Sequence, residues 1–527
     1  MNAPSHRLPL LGVLTLAALC FQCGSSQPHA ATGTAGGMSV AGGTSVAGGA
    51  NTIGGSTGAG GSGTVPGAGA PPVAVGGSVT AIPGGPGCGL GDAAAFCDSF
   101  DAPSATHGRA GELDPLKWSA ARNQPQAPTG GNLAIGITEA TLPACHAGLP
   151  ARVYPDQDTL ICDPTTAIRS SHLLMAVAAQ NYGQNSYRIR QPFDFAGRTG
   201  KIVFDAEGFT TQLLGWVSIE VSEDPAPGPS FALGGPGTAN DEGSVVPRNA
   251  FELQFMNNCA SSAEAPLVGL RSLLLVNDYV QTESAITGQP VCLKVKQGSL
   301  NHFEVSVSQN RIEIFATSFS PDGTTFEKPV LVYGADVSLP FSRGYLSITA
   351  HNHATLKYTE PKMDAWIARW DNVAFDGPVI ASDREYEVPD SLVASKQPFG
   401  TENVKTIAYL VADSASAPKD TLHIPGVDLT GMSKARLALS GWYHPTSANA
   451  TYALKYRFNG GAWHDRPFSA GEAAALSDSR CQGALTHMID VPIKDLVKGD
   501  NTLEFLAVNI PQDVPPAVSN IDLILSP

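Results

Sequence analysis

The sequence predicts an all-β protein made of two antiparallel sandwiches, and three observations support that prediction. Apolar and polar residues alternate in short segments such as "SYRIRQPFDF", "GKIVFDAEGF" and "HFEVSVSQNRIEIFAT". Turns rich in Gly, Pro and Asn separate these segments, and helical periodicity is almost absent. With 527 residues the chain is longer than one typical core requires, so we expect two folded domains and an unstructured part.

Residues 1–23 are predicted to be an export signal. Arg7 precedes an apolar run, Leu8–Leu19, which is too short to span a bilayer. Cys20 and Cys23 follow the run, and the second is followed by "GSS", as in a bacterial lipoprotein signal whose thiol carries lipid. The residues before these cysteines are Leu and Gln, where such signals usually have a small residue. We therefore expect export, either to the outer membrane or cell surface as a lipoprotein, or to the extracellular medium.

Residues 24–87 are predicted to be a disordered, flexible tether. No Asp, Glu, Lys or Arg occurs from Gly24 to Gly91, and repeats such as "AGGMSVAGGTSVAGG" have too little side-chain bulk to form a core.

The charge of the chain limits its partners. The formal net charge is −15 at pH 7, whereas nucleic acids and anionic membrane surfaces require clustered Lys and Arg. We expect no nucleic-acid partner, and membrane contact only through an N-terminal lipid.

The folded part is predicted to divide at a break after residue 378. We place the first sandwich at residues 88–378 and a second, smaller one at residues 379–527, where "TIAYLVAD", "ARLALSGWY" and "NTLEFLAVN" read as strands. The segment "GEAAALSDS" predicts one short helix, and "SVSQNRIEIF" predicts a hairpin that turns at Gln309 and Asn310.

Seven cysteines follow the signal, and in an exported protein they indicate disulfides. Zinc is not expected, because no paired CxxC spacing occurs. The sequence does not fix the connectivity, but proximity along the chain favours Cys88–Cys97, Cys145–Cys162 and Cys259–Cys292, with Cys481 left over.

The ends of the first domain resemble a known superfamily. "FCDSFD" and "LDPLKWS" at its start and "ARWDNVAFDGP" at its end are similar to strands of the concanavalin A-like jelly roll. That superfamily includes legume-type lectins, laminin-G-like modules and laminarinase-type glycoside hydrolases. The second domain, with "LVKGDNTLEFLAVN", resembles the galactose-binding-type sandwiches of many carbohydrate-active enzymes. The resemblance implies a carbohydrate-related function.

The segment "AFELQFMNN" invites comparison with the laminarinase-type motif E-x-D-x-x-E. Laid on that motif, the chain has Glu252 at the nucleophile position, Gln254 at the middle position and Asn257 at the acid/base position. Retaining hydrolysis needs two carboxyl groups, and an amide cannot transfer the proton. The resemblance therefore implies that this mechanism is disabled. Alternatively, Glu252 only occupies a polar sheet face.

Several other strands place polar and aromatic residues on one face at spacing i, i+2. If these strands share the concave sheet, the residues form a groove that suits glycans; on an outer sheet they are merely solvated. The candidate ligand-binding residues are Arg188, Arg190, Trp216, Glu220, Glu252, Gln254, His351 and His353.

The same set leaves an enzyme open. Alginate-type lyases with a jelly-roll fold use Arg against the uronate carboxylate and His and Tyr as base and acid, and Tyr187 and Tyr345 supplement the arginines and histidines here. The strand motifs of those lyase families are absent, however. The catalytic candidates are Glu252, His351 and Tyr345.

The resemblance also implies a structural calcium ion where the first and last strands meet. Asp371 is the matching position, with oxygen ligands at or near Asp98. Alternatively, Asp371 caps a turn. No other cofactor is expected.

Together these features predict a secreted or surface-tethered protein that binds polysaccharide or a cell-surface glycan without cutting it. The alternatives are a polysaccharide-degrading lyase or glycoside hydrolase that uses the same groove, and an adhesion or structural surface protein.

Overall fold

A computed structural model describes two β-sandwiches and their connections. The described residues, all within one compact unit that spans Gly76–Pro527, are 85–101, 104, 113–123, 166–169, 172–178, 183–207, 215–225, 246–259, 267–284, 291–296, 301–318, 327–352, 365–388, 408–413, 420–443, 451–477, 484–510 and 516–527. The predicted export signal and almost all of the predicted tether therefore lie outside the described residues.

The first sandwich begins with two 3-10 turns, Pro86–Gly89 and Gly91–Ala93. Its strands are β1 (Ala94–Asp98), β2 (Trp118–Asn123), β3 (Thr166–Arg169), β4 (His172–Ala178), β5 (Gly183–Ile189), β6 (Phe193–Asp194), β7 (Gly200–Glu207), β8 (Gly215–Ser222), β9 (Ala250–Cys259), β10 (Leu267–Asn277), β11 (Val280–Ser284), β12 (Val291–Lys296), β13 (Asn301–Ser308), β14 (Arg311–Ser318), β15 (Val330–Asp336), β16 (Arg343–Asn352) and β17 (Ala365–Asp376).

These strands form two antiparallel sheets. The described part of the first sheet has the order β15-β14-β13-β7-β17-β4-β3, with β1 paired to β17. The second has the order β11-β10-β9-β8-β16-β5-β2, with β12 on β10 and β6 on β16. We call the first the outer sheet and the second the inner sheet, because residues of the inner sheet contact the second sandwich.

Alternating side chains from the two sheets fill the space between them. Phe204 of the outer sheet contacts Phe255 of the inner sheet, with ring centroids 5.9 Å apart, and Trp370 and Phe303 pack on the same ring of Phe204. Aromatic and branched residues at every second position thus hold the sheets face to face.

The second sandwich has shorter strands. They are β18 (Arg384–Glu387), β19 (Ala408–Tyr409), β20 (Val411–Ala412), β21 (Thr421–Val427), β22 (Lys434–Trp442), β23 (Ala453–Phe458), β24 (His464–Pro467), β25 (Ala484–Val491), β26 (Gly499–Val508) and β27 (Ala517–Ser526), with helix α1 (Ala470–Ser477) between β24 and β25 and a 3-10 turn at Ile493–Asp495.

Its strands also form two sheets. The order β18-β27-β22-β25, with β19 on β27, defines the proximal sheet, whose strands β18 and β25 contact the first sandwich. The order β20-β26-β23-β24, with β21 on β26, defines the distal sheet. The pairs are antiparallel except β20 with β26.

The core of the second sandwich includes side chains of the first. Its own strands contribute core residues such as Leu437, Leu454 and Leu523. The first sandwich adds Val246, Ala250, Leu274, Val276 and Tyr279 to the same cluster. The two sandwiches therefore share buried apolar surface.

Much of the sequence-based prediction is confirmed. The protein is all-β, and Phe251, Leu253 and Phe255 of β9 face the core of the first sandwich. Gln309 and Asn310 are the turn between β13 and β14, where Ser308 pairs with Arg311. Helix α1, Ala470–Ser477, covers most of the segment "GEAAALSDS".

The passage between the sandwiches falls between β17 and β18. Strand β17 ends at Asp376 in the outer sheet, and β18 begins at Arg384 in the proximal sheet. The described helices include none with the length and apolar character needed to cross a membrane.

The structure contains the Cys88–Cys97 disulfide, as predicted. Cys292 is also disulfide-bonded, but the side chain of its predicted partner, Cys259, lies outside the described part of the chain. Cys145, Cys162 and Cys481 lie outside it as well, so those expectations stay predictions.

Peptide mapping of the unreduced protein tests the disulfides. We expect one linked peptide pair joining Cys88 to Cys97 and a second joining Cys259 to Cys292, because both pairs close short loops. Recovery of Cys292 linked to Cys481 or Cys162 would contradict the second pairing. The same digest after reduction is the control.

Candidate functional site

A row of polar residues crosses the inner sheet on the face opposite the core. The strand register places Ser119, Arg188, Ser347, Glu220 and Glu252 side by side on β2, β5, β16, β8 and β9. We call these five residues the interface row. Three of the candidate ligand-binding residues, Arg188, Glu220 and Glu252, therefore share one face of the inner sheet.

The interface row is not an open groove. Each of its five side chains is at most 2% exposed. Arg188, next to Ser119 at one end, donates a hydrogen bond to Glu385 of the second sandwich, and Leu274, which pairs with Glu252 at the other end, belongs to the shared apolar cluster. The expected ligand-binding face is instead buried, with both ends of the row against the second sandwich.

The contact at Arg188 is a buried ion pair. Its Nη2 donates a hydrogen bond of 2.7 Å to Glu385 Oε2, and the two side chains are 1% and 3% exposed. The Arg188 guanidinium also lies 5.5 Å from the ring centroid of Tyr345. Arg190 lies 3.8 Å from the same Glu385 oxygen and 3.6 Å from Glu387 Oε1.

Two opposing effects set the pKa of the Glu385 carboxyl group. Burial alone raises the pKa of the Glu385 carboxyl, but the charges of Arg188 and Arg190 and the hydrogen bonds to it lower that pKa to about 2. The Glu385 carboxylate is therefore ionised at neutral pH.

Glu385, Glu387 and Asp522 are the group of acidic side chains among the described residues whose oxygens lie within 4.8 Å of one another. Such a group invites a metal ion. Arg188 and Arg190 already supply positive charge at the same place, so we interpret the group as the anionic half of an ion-pair network.

Glu220 and Glu252 form a pair of adjacent carboxyl groups. They are directly opposite on β8 and β9, which brings Cβ atoms to about 4.5–5.5 Å. Both are fully buried. Burial and then the charge of Glu252 raise the pKa of Glu220 well above its usual range. Gln254 Nε2 donates to Glu252 Oε2 at 3.2 Å.

The other predicted groove residues lie in different places in the structure. Arg190 is buried against the second sandwich. Tyr187, which would supplement the arginines and histidines in a lyase, faces the core instead. The backbones of Trp216 and His351 pair on β8 and β16, but their side chains, and all of His353, lie outside the described part. The side chain of Asn257 does so too.

The predicted calcium position contains a cavity, although Asp98 does not line it. The Asp98 carboxylate accepts hydrogen bonds from Trp118 Nε1 at 2.8 Å and from the Phe100 amide at 3.1 Å. Asp371 instead lines a cavity of about 580 Å³ with Asp101. The cavity thus brings Asp371 together with Asp101, three residues after Asp98, and calcium stays a prediction.

A second buried network, which the sequence analysis missed, ties Tyr279 of the first sandwich to α1. Glu472 Oε1 accepts from Arg466 at 2.5 Å, from His487 Nδ1 at 2.6 Å and from the Tyr279 hydroxyl at 3.3 Å. Tyr443 contacts His487 Nε2 at 2.6 Å. The arrangement resembles a catalytic relay, but Tyr443, His487 and Glu472 are fully buried, so substrate has no access to it.

A capping motif at the start of α1 is the local sequence signal for part of this network. Ser469 and Glu472 form a capping box at the start of α1: the Ser469 amide donates to Glu472 Oε2 at 2.7 Å, and the Glu472 amide donates to Ser469 Oγ at 3.1 Å. The S-x-x-E spacing before an apolar run is its sequence signature.

The outer sheet carries another buried polar cluster. His302 Nδ1 lies 2.6 Å from Asp205 Oδ1, and Asn372 Nδ2 donates to Asp205 Oδ2 at 2.8 Å. Lys201 Nζ donates to Glu304 Oε2 at 2.5 Å. His302 and Asp205 are fully buried, so we interpret the cluster as structural.

A solvent-facing patch lies on the distal sheet. Strands β23 and β24 form a hairpin in which Asn459 and Gly460 both have positive φ, 53° and 67°, as a type I′ turn requires. The hairpin places the Arg457 guanidinium 4.6 Å from the Trp463 ring centroid. Arg457 in turn donates to Glu504 Oε2 from Nε at 2.9 Å and Nη2 at 2.6 Å.

We call Trp463, Arg457 and Glu504 the Trp463 patch. Arg457 and Glu504 are 27% and 16% exposed, and Trp463 is half-buried. The exposed Thr421 pairs with Glu504 on the neighbouring strand. Apart from the Asn-Gly turn, no sequence signal pointed to this patch.

Comparisons with known proteins show only remote likeness. No family model and no curated protein matches the chain. The exoplasmic/lumenal domain of VIP36, bound to Ca²⁺ and Man3GlcNAc, is 14% identical with a TM-score of 0.26, over 41% of this chain and 84% of that one. The GalNAc-bound lectin from Bauhinia forficata is 14% identical with a TM-score of 0.25, over 41% and 91%.

An enzyme is among the similar structures as well. Xylan β-1,4-xylosidase from Bacillus halodurans C-125 is 12% identical with a TM-score of 0.26, over 53% of this chain and 39% of that one. Likenesses of this size carry no inference about function.

A double-mutant cycle measures the ion pair between the sandwiches. We expect Arg188→Met or Glu385→Met alone to lower the free energy of unfolding by about 3–5 kcal/mol, since each removes the hydrogen-bonded partner of a buried charge. The double variant should cost clearly less than the sum. Chemical denaturation at pH 7 gives these values. Arg384→Met, which breaks a pair 43% and 45% exposed, is the control and should cost at most about 1 kcal/mol. Additive single effects would contradict the coupling.

The same pair predicts a pH dependence. Because the folded pKa of Glu385 is about 2, below its ordinary value of 4.5, its stabilisation is present above pH 4.5 and is lost as the pH falls toward 2. The difference in unfolding free energy between wild type and Glu385→Gln should therefore shrink across this window. A constant difference from pH 7 to pH 2 would show that Glu385 does not titrate there.

Proposed function

We propose that the protein is an exported, non-catalytic polysaccharide-binding protein, secreted or tethered at the cell surface. The composition of residues 1–23 supports export, and the acidic net charge of −15 speaks against polyanions such as nucleic acid as the ligand.

The observation that supports glycan binding is the Trp463 patch. Sugars present C–H faces to aromatic rings and hydroxyls to planar polar groups. Arg457 holds the Trp463 ring, and Glu504 holds Arg457 through two hydrogen bonds, so the aromatic and polar groups are fixed before ligand arrives. Such preorganisation lowers the entropy cost of binding.

The burial of the interface row supports a non-catalytic role. Glu252 and Glu220 have no exposed surface, so a polysaccharide does not reach them while the sandwiches are joined. The earlier expectation that Glu252 hydrogen-bonds the glycan is therefore replaced by the Trp463 patch.

One observation favours the alternative, a glycoside hydrolase. Glu220 and Glu252 are adjacent carboxyl groups, and retaining hydrolysis uses two carboxyls about 5–5.5 Å apart, one of them protonated. The raised pKa of Glu220, caused by burial and by Glu252, fits the protonated partner. This function would require the second sandwich to move away from the inner sheet.

Glycan binding is tested by variants of the patch. Trp463→Ala should weaken binding to the preferred polysaccharide about tenfold, equal to about 1.4 kcal/mol, whereas Trp463→Phe should retain most of it. Glycan arrays identify the ligand, and titration of the purified chain measures affinity. Leu116→Ala, at a side chain 78% exposed on the first sandwich, is the control. Equal affinity of Trp463→Ala and wild type would exclude the patch as the site.

Catalysis is tested on every polysaccharide that binds. We expect neither reducing ends nor unsaturated uronate absorbance to accumulate. Reducing ends that disappear in Glu220→Gln or Glu252→Gln would establish the hydrolase, and uronate absorbance that disappears in Tyr345→Phe would indicate the lyase. Absence of glycan binding together with binding to host or matrix proteins would favour adhesion.

A further inference from the structure

The strand register places charged side chains around Trp463 on the solvent face of the distal sheet. Arg457 pairs with Glu504 across β23 and β26, and Lys455 pairs with Asp465 across β23 and β24. The Trp463 ring lies against the Arg457 guanidinium. Asp465 follows Trp463 by two positions, so their Cα atoms are at most about 7 Å apart. A sugar that stacks on Trp463 therefore lies within reach of these charges.

Both cations of this surface are already paired. The Arg457 guanidinium donates to Glu504 Oε2 from Nε at 2.9 Å and from Nη2 at 2.6 Å. Lys455 Nζ donates to Asp413 Oδ2 at 2.7 Å and lies 3.7 Å from Asp465 Oδ1. Arg457 and Lys455 are only 27% and 26% exposed. A carboxylate of a ligand can reach either cation only by displacing a carboxylate of the protein.

The carboxylates are the more accessible charges. The side chains of Asp465 and Asp413 are 77% and 42% exposed. With Glu504 they make three carboxylates against two cations, so the formal charge of this surface is −1. Charges within about 8 Å of one another still interact at physiological salt. A ligand at Trp463 therefore meets a negative field, which attracts an ammonium group and repels a carboxylate.

We propose that the Trp463 patch selects polysaccharides with free amino groups, such as polymers of glucosamine, over polymers of uronic acids, and that Asp465 determines this selectivity. The inference rests on the proposed binding of glycans at Trp463. A protonated amino group on the stacked sugar pairs with the Asp465 carboxylate. A uronate meets the same carboxylate, while Arg457 and Lys455 are held by their own partners.

Neutral polysaccharides take the middle position. Stacking of a C–H face on Trp463 requires no charge on the sugar, so a neutral sugar gains the ring contact without an ion pair. The net charge of −15 also favours amines, but it is spread over the whole chain and is screened beyond about 8 Å. Substitution of Asp465 separates its local effect from that of the net charge.

The experiment is a titration of the full chain with oligosaccharides of one linkage and one length. Oligoglucosamine, cello-oligosaccharide and cellouronate differ only in an amino or a carboxylate substituent. Oligoglucosamine should bind about fivefold more tightly than cello-oligosaccharide, the upper end for one exposed ion pair, and cellouronate should bind most weakly. Added sodium chloride should bring the three affinities together.

Matched variants test the role of Asp465. In Asp465→Asn the ratio of the amino to the neutral affinity should fall to about one, and in Asp465→Lys cellouronate should become the tightest ligand of the three. Asp336→Asn is the control. It removes the same charge from the first sandwich, at a side chain that is 88% exposed and also paired with a cation, and it should keep the wild-type ratio.

The outcomes separate this selectivity from glycan binding itself. An unchanged ratio in Asp465→Asn, or cellouronate binding to wild type as tightly as oligoglucosamine, overturns the selectivity. If Trp463→Ala weakens binding in that case, the glycan site stands and only the selectivity fails. If wild type binds none of the three oligosaccharides and no glycan on an array, the proposed function fails and the selectivity fails with it.

Discussion

Burying an arginine is tolerable only where a carboxylate meets it, and this constraint determines how the two sandwiches of this protein join. Arg188 projects from the polar face of the inner sheet, and Glu385 of the first strand of the second sandwich accepts its hydrogen bond at 2.7 Å. Since charged pairs have strict geometry, the contact sets the register of one sandwich against the other. The apolar contacts around it are less directional.

The remaining contacts between the sandwiches agree with that placement. The backbone amide of Thr486 donates to the Val246 carbonyl at 2.9 Å, and Tyr279 reaches Glu472 from a turn in which Asp278 and Tyr279 both have positive φ, 45° and 66°. Such a conformation is unfavourable for a bulky residue, and the hydrogen bonds of the Tyr279 hydroxyl help to hold it. A Cβ on Gly471 would lie 2.5 Å from the Asp278 carbonyl oxygen, so glycine permits this close approach.

The sequence predicted the strands and their faces because alternation at period two is a local property. The clearest case is β9, where Phe251 and Leu253 face the core and Glu252 and Gln254 lie on the opposite face. What covers a polar face is a non-local property. Arg188 donates a hydrogen bond to a partner 197 residues away along the chain. No local sequence pattern predicts that partner. The buried interface was therefore predicted to be an open groove.

The candidate sites, too, combine features that local sequence patterns predict with features that depend on distant contacts. The proximity of Glu220 to Glu252 requires the pairing of β8 with β9, which periodicity does not specify. Asp371 lies beside the first strand as expected, but the hydrogen bond from the Trp118 indole to Asp98 joins residues 20 positions apart, and no local pattern predicts it. The Asn459-Gly460 turn predicts the hairpin but not the contact between Arg457 and Trp463, because the observed register pairs Tyr456 with His464.

The shared apolar cluster has a consequence for the ancestry of the chain. A domain that moves between genes as a unit must bring a complete interior with it. Here the second sandwich takes Val246, Ala250, Leu274, Val276 and Tyr279 from its neighbour. Separation of the two would leave an unfilled hollow in the second sandwich and an exposed apolar face on the first, so a gene fragment that encodes only one of them would encode an incomplete core.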